Sequence, residues 1–254
     1  MSIMNTTKQL ENNLDNQLLI QKSQNGNGVE LENDKKHKEQ IPYHQEVVRK
    51  LIHLCSLSIP IGYIFVERKT AIVILFVLAV LMVTIDISTK KNEFLRKIYK
   101  QIFGGILRKH ERKKKKILLN GASWVLISAV ITILIFPKII AVTAFTILIV
   151  SDIAAALIGR KFGRHRLFNK SWEGTIAFIA TAIAAVFVLG FSFDAPVSYF
   201  IAGSLGAVAG GFAEASSKKL KMDDNFVVPM SIGIIMLAFS TFATPYLQDF
   251  LHIL

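Results

Sequence analysis

The sequence predicts an all-α, polytopic transmembrane helix bundle of about seven spans, and three observations carry that prediction. Hydrophobic residues make up 52% of the 254, charged residues only 19%, and the charges are gathered: 14 lie in residues 1–50 and 15 in residues 86–116. What remains is mostly apolar runs of bilayer length. Lys and Arg fall on alternate ends of those runs with a strong bias. These features exclude a water-soluble globule, a disulfide scaffold and a disordered chain. The net charge of +12 flanks apolar runs, so it reads as membrane topology, and no nucleic-acid partner is expected. The one cysteine, Cys55, lies inside an apolar run, so no disulfide forms within the chain.

Residues 1–42 are rich in Asn, Gln, Lys and Glu and hold no apolar stretch beyond Leu18-Leu19-Ile20. They are too polar for a signal peptide and are expected to form a disordered tail. A transmembrane domain is expected over 43–254. Seven spans follow, at 51–66, 70–85, 117–136, 139–158, 175–193, 197–213 and 226–243. A spanning helix needs about 17–25 residues, so the last five qualify and the first two are slightly short. Those two either tilt little, thin the bilayer or form a hairpin that does not fully cross.

Counting Lys and Arg by side gives 25 against 3, with only Arg68, Lys69 and Lys138 on the minor side and Lys8 and Lys22 left in the distal tail. Seven spans with the N-terminus in the cytoplasm fit that asymmetry. In the long loop 92–112, Phe94, Leu95, Ile98, Tyr99, Ile102, Phe103, Ile106 and Leu107 recur at helical spacing beside Arg96, Lys97, Lys100, Arg108 and Lys109. This predicts an amphipathic helix on the cytoplasmic leaflet, its basic face against anionic lipid headgroups.

Of eleven acidic residues after position 50, eight fall at or near cytoplasmic ends of spans: Asp86, Glu93, Glu111, Asp152, Glu173, Glu214, Asp223 and Asp224. Asp152 lies inside its apolar run, roughly 9 Å below the cytoplasmic end at ~1.5 Å per residue. A carboxylate there faces a cavity, a cation or a metal, or else pairs with a base such as Lys170. Arg49, Lys50 and His53 open the first span, and Asn120 is near the start of the third. Gly159 to Lys170 join the fourth and fifth, and Asp223-Asp224-Asn225 opens the seventh. Carboxylates and cations at one membrane face suit a polyphosphate substrate held through Mg²⁺, with Arg160, Arg164 and Lys170 on phosphates. Gly159 and Gly163 bracket a basic turn that either approaches a phosphate closely or turns sharply. The N–H groups of Ser171–Gly174 offer an anion site, whereas Gly206 and Gly210 mark close helix packing.

With these residues collected, the chain resembles the CTP-dependent lipid kinases, namely dolichol, phytol and yeast-type diacylglycerol kinases, and more distantly the phosphatidate cytidylyltransferases. The likeness runs from about 43 to about 243. It is carried by Arg49-Lys50-Leu51-Ile52-His53, by Gly105 to Glu111 with Gly121-Ala122-Ser123-Trp124, and by Ser151-Asp152-Ile153-Ala154 through Gly159-Arg160-Lys161-Phe162-Gly163. Lys170-Ser171-Trp172-Glu173-Gly174-Thr175, Glu214 and Asp223-Asp224-Asn225 to Pro229 complete it. Ser151 replaces the family's usual Gly. The cytidylyltransferases continue into a Pro-Gly-His-Gly-Gly element and a second acidic pair. Here Pro229-Met230-Ser231-Ile232-Gly233 follows instead, and Gly210-Gly211 stands where Gly-Asp is usual.

The resemblance implies transfer of the γ-phosphoryl group of CTP to a membrane lipid alcohol (polyprenol, diacylglycerol or phytol-like) at the cytoplasmic face, with Mg²⁺. It implies catalytic roles for Asp152, Lys170, Glu173 and Asp224. It implies nucleotide or phosphate binding by Arg49, Lys50, His53, Gly159, Arg160, Gly163, Ser171, Gly174 and Asn225. Asp152 would ligate the metal with Glu214 or Asp223 as a second ligand, and either Glu173 or Asp224 would position or deprotonate the hydroxyl. The alternatives are cytidylyl transfer to phosphatidate and, in another class, a transporter using intramembrane acids. The transporter would need polar groups toward the outer half, which carries almost none.

Overall fold

A computed structural model of the chain describes residues 17, 43–92, 94, 119–168 and 170–242, with the side chains of 43–46, 90 and 242 set aside. The expected polar tail and the expected amphipathic helix over 92–112 fall almost entirely outside the described residues. Those described from residue 43 onward form eight helices and one two-stranded hairpin: α1 Tyr43–Cys55, α2 Ser58–Phe65, α3 Arg68–Lys91, α4 Gly121–Ile135, α5 Lys138–Phe162, β1 Arg166–Leu167, β2 Lys170–Ser171, α6 Trp172–Ser192, α7 Val197–Ser216 and α8 Asp224–Phe242. The bundle is all-α, as expected. Every backbone polar group inside a bilayer needs a partner, and a helix supplies its own.

Among the described residues, five stretches are long and apolar enough to cross a membrane: Val47–Phe65, Arg68–Thr89, Lys138–Phe162, Trp172–Ser192 and Asp224–Thr241. Gly121–Ile135 is apolar but shorter, and α7 has 20 residues, about 30 Å of helix. The first expected span is interrupted between α1 and α2. Pro60 has no N–H to give to the carbonyl four residues back, and its ring would strike it. The chain there tightens into three-residue turns, Ser56 N–H donating to His53 O and Ile59 N–H to Ser56 O, both at 2.9 Å. Pro137 and Pro196 sit as N-caps of α5 and α7, where a missing N–H removes nothing.

α5 is the central helix. Some 72% of its apolar stretch is buried inside the protein, against 17% and 22% for the first two. It packs on α6 and α8 and is touched by α1, α2, α4 and α7, while α3 leans on α4 and α7 bridges α6 and α8. Ile139, Ile140, Ile147, Leu148 and Ile149 of α5 pack with Phe178, Tyr199, Ile232 and Phe136 in one core. Gly206, Gly210 and Gly211 permit this closeness, since a methyl group at Gly210 would lie 2.8 Å from Ile232 and one at Gly211 2.6 Å from Ile179. Outward faces keep Phe65, Val73, Phe76, Phe191 and Val197 exposed, the pattern of a bundle solvated by lipid.

The bundle has two chemically different ends. At one, Arg68 Nη2 donates to Leu134 O at 2.7 Å and Lys138 Nζ to Ile64 O at 2.9 Å. These cations cap the last carbonyls of α4 and α2. The C-terminal ends of α3, α5 and α7 and the N-terminal ends of α4, α6 and α8 lie at the other, where the ion pairs of the described residues gather.

Candidate active site

Lys50 on α1 brings its Nζ to Asp152 Oδ2 on α5, a hydrogen-bonded ion pair whose side chains are 3% and 7% exposed. His53, one turn along α1, places Nε2 3.7 Å from the same oxygen. Lys170 forms the second pair, with Glu214 of α7, and stands 3.8 Å from Asp224 at the start of α8. Asp152, Glu214 and Asp224 each present an oxygen within 4.8 Å of the others. Five chain segments thus deliver three carboxylates and two lysines to one largely buried cluster. Asp152 and Glu214 are buried, and Asp224 is half-buried.

Local chemistry delivers Lys170. The hairpin pairs Arg166 with Ser171 and Leu167 with Lys170, and its tight turn puts Phe168 in the left-handed region at φ 52°. Lys219 Nζ sits 5.3 Å from the centre of the Phe168 ring, tying the hairpin to the stretch after α7. His165 O accepts from Trp172 N–H at 3.0 Å. Burial alone would lower the pKa of Lys170, but Glu214, Asp224 and Asp152 outweigh it and hold the ammonium group above its ordinary value. Lys170 therefore stays charged through neutral and mildly alkaline pH.

Other residues singled out in the sequence occupy different positions. The partner of Asp152 is Lys50 rather than Lys170. Asp224, not Asp223, completes the carboxylate group. Asp223 instead accepts from Asn225 N–H at 3.1 Å and Asn225 Nδ2 at 2.7 Å, as an N-cap of α8. Glu173 lies outside that group and accepts from His165 N–H at 3.1 Å and bonds its Nδ1 at 2.9 Å. Asp86 is buried in a separate cluster. It accepts from Asn120 N–H (2.9 Å), Asn120 Nδ2 (2.7 Å) and Ser123 Oγ (2.7 Å), locking the end of α3 to the start of α4. Arg160 is half-buried in the last turn of α5, where a cation complements the helix end. Of the residues that matter here, His165 escaped the sequence reading because nothing in its spacing marks it as the partner of Glu173.

The glycines around the basic turn face one another across α5 and α6. A methyl group at Gly163 would lie 2.2 Å from Gly159 O and 2.7 Å from Ser171 Oγ, and one at Gly174 2.9 Å from Ala155 O. Ser171 Oγ accepts from Gly174 N–H at 3.2 Å as the N-cap of α6. Gly159, Gly163 and Gly174 thus let the end of α5, the turn after it and the start of α6 approach closely, and Ser171 already caps one N–H of the expected anion site.

The donor set fits a hard divalent cation. Its oxygens all come from carboxylates, and Asp152 Oδ1 is buried with no hydrogen bond. Over 206 residues, 80% of this chain and 96% of the other, the sequence is 30% identical to an uncharacterized protein of Rickettsia prowazekii. The chain belongs to that protein's family. It is also 24% identical over 214 residues to CTP-dependent diacylglycerol kinase 1 of Saccharomyces cerevisiae, covering 75% of this chain and 72% of the yeast protein. Over 89 residues it is 34% identical to a phytol kinase of Synechocystis sp., covering 33% and 37% of the two chains. These likenesses support a lipid-kinase-like family. No protein-family model and no solved structure matches the chain.

Proposed function

We propose that this protein is a CTP-dependent lipid kinase, which transfers the γ-phosphoryl group of CTP to the hydroxyl of a membrane lipid alcohol at the cytoplasmic face. The observation that carries the reading is the convergence of Asp152, Glu214 and Asp224 with Lys50 and Lys170 in one largely buried cluster at one end of the bundle. The named kinases among its relatives supply the donor and the acceptor class. The bias of 25 Lys and Arg against 3 supports the cytoplasmic side, and the basic residues of 92–112 would hold anionic headgroups beside it.

In this reading the lipid oxygen forms a bond to the γ-phosphorus while the bond to the β,γ-bridging oxygen breaks, giving a phosphorylated lipid and CDP. Lys50 and Lys170 hold phosphate oxygens, with Arg49 and Arg160 as further cations for them. Asp224, the half-buried member, faces the entering hydroxyl and takes its proton. Asp152 and Glu214 would hold Mg²⁺, which when bound neutralises charge on the β- and γ-phosphates. His165 holds Glu173 outside the carboxylate group, so Asp224 is the better base of the two.

The test supplies CTP labelled at the γ-phosphorus to purified protein in bilayers containing a lipid alcohol and, in parallel, in bilayers containing phosphatidate. Label in the lipid with release of CDP supports the kinase. Label in pyrophosphate assigns cytidylyl transfer instead, and no turnover with diacylglycerol, polyprenol or phytol overturns the proposal.

A further inference from the structure

In the pocket, carboxylates and lysines satisfy each other. Lys50 is bonded to Asp152, Lys170 is bonded to Glu214, and Asp224 stands 3.8 Å from Lys170. The lysines occupy oxygens that a divalent cation needs, and the carboxylates occupy ammonium groups that phosphates need. A cation arriving alone meets two ammonium groups. A polyphosphate arriving alone meets three carboxylates. At this burial each ligand is repelled by the half of the pocket that attracts the other, and water screens little of that repulsion.

We propose that Lys50 and Lys170 exchange partners when substrate binds. Each leaves its carboxylate for phosphate oxygens while Asp152 and Glu214 turn to the divalent cation, so metal and nucleotide bind with strong mutual dependence. The inference rests on the phosphoryl-transfer reading for its ligands. Three features make the exchange feasible. Lysine carries its charge on a flexible four-carbon stem, so Nζ can swing between acceptors without moving the backbone. The two lysines come from separate elements, α1 and the hairpin, so neither movement disturbs the α5–α7 framework that carries Asp152 and Glu214. Asp152 Oδ1 and His53 Nε2 are buried without hydrogen bonds, leaving a first foothold for the cation before the lysines depart. Coupling between two ligands is reciprocal, so the cation must tighten nucleotide binding by the factor with which nucleotide tightens the cation.

The test measures binding to the full-length protein in lipid nanodiscs, using Mn²⁺ and the non-transferable β,γ-methylene analogue of CTP. In the wild type the analogue binds at least tenfold more tightly with Mn²⁺ than in EDTA. Equal affinity in the two conditions overturns the exchange without any variant being needed. Lys50→Met and Lys170→Met then move the two ligands in opposite directions. Mn²⁺ alone, followed by its EPR signal, binds at least fivefold more tightly, and the analogue at least tenfold more weakly. Analogue affinity within twofold of wild type in both variants means that the pairs are static, which overturns the proposal. If γ-label still reaches lipid in that case, the kinase reading stands. Failure of the analogue to bind under any condition overturns both.

Discussion

On the proposed mechanism, replacing Asp152 by Asn perturbs catalysis and stability together, because one carboxylate would serve both. Lys50 is 3% exposed and bonded to it, so the substitution strands a buried ammonium group, a change that costs about 3–5 kcal/mol. A carboxylate acting on a charge about 4 Å away at an effective dielectric constant of about 20 contributes roughly 4 kcal/mol. At about 1.4 kcal/mol per decade, its loss should lower turnover about 1,000-fold. The double variant Lys50→Met with Asp152→Asn removes both charges and should regain most of the thermal stability, yet remain inactive. Turnover would be read as γ-label entering lipid, and stability as the unfolding midpoint in detergent. Turnover near wild type in Asp152→Asn refutes the site, and recovery of activity in the double variant would mean that Asp152 only balances Lys50.

Three further outcomes follow from the geometry. Asp86→Ala leaves three donors at the α3–α4 junction without their acceptor; it should destabilise by on the order of 3 kcal/mol while turnover per folded molecule stays within about twofold, and a catalytic loss of a hundredfold would place Asp86 in the chemistry. Glu173→Gln keeps an acceptor for His165 and should lower kcat less than about tenfold, whereas Asp224→Asn should lower it at least about a hundredfold; the reverse ranking would make Glu173 the base. The raised pKa of Lys170 means that the stability it contributes is fully present below the unfolded lysine value of about 10.4 and is lost only as pH climbs through the higher folded value. The difference in unfolding midpoint between wild type and Lys170→Met should therefore not shrink between pH 6 and about 9.5, and a difference that vanishes by pH 9 would mean that the pair is not ionic.

The elements of the bundle were legible because their causes are local. An apolar run can satisfy its backbone in lipid only as a helix, so 139–158 and 175–193 reappear within α5 and α6 with ends shifted by a few residues. Pro60 is equally local, yet the apolar run through it conceals the break between α1 and α2. The close-packing glycines of α7 were readable from their four-residue spacing.

The site was only half legible. Burying a charge in a span is expensive, so Asp152 and Glu214 declared themselves by position. Which base answers which acid was a different matter. Lys50 reaches Asp152 across 102 residues and Lys170 reaches Glu214 across 44, and composition does not set the rotation of one helix about its axis against another. Packing sets it. The same rotation brings Asp224 into the pocket while Asp223 caps α8, hands Glu173 to His165 and reserves Asp86 for Asn120 and Ser123. Hydropathy along the chain thus determined which segments become helices and where charges are tolerated at all. Only the three-dimensional assembly, in which side chains compete for partners within a few ångströms, decided which of those charges form the pocket and which merely hold the helices together.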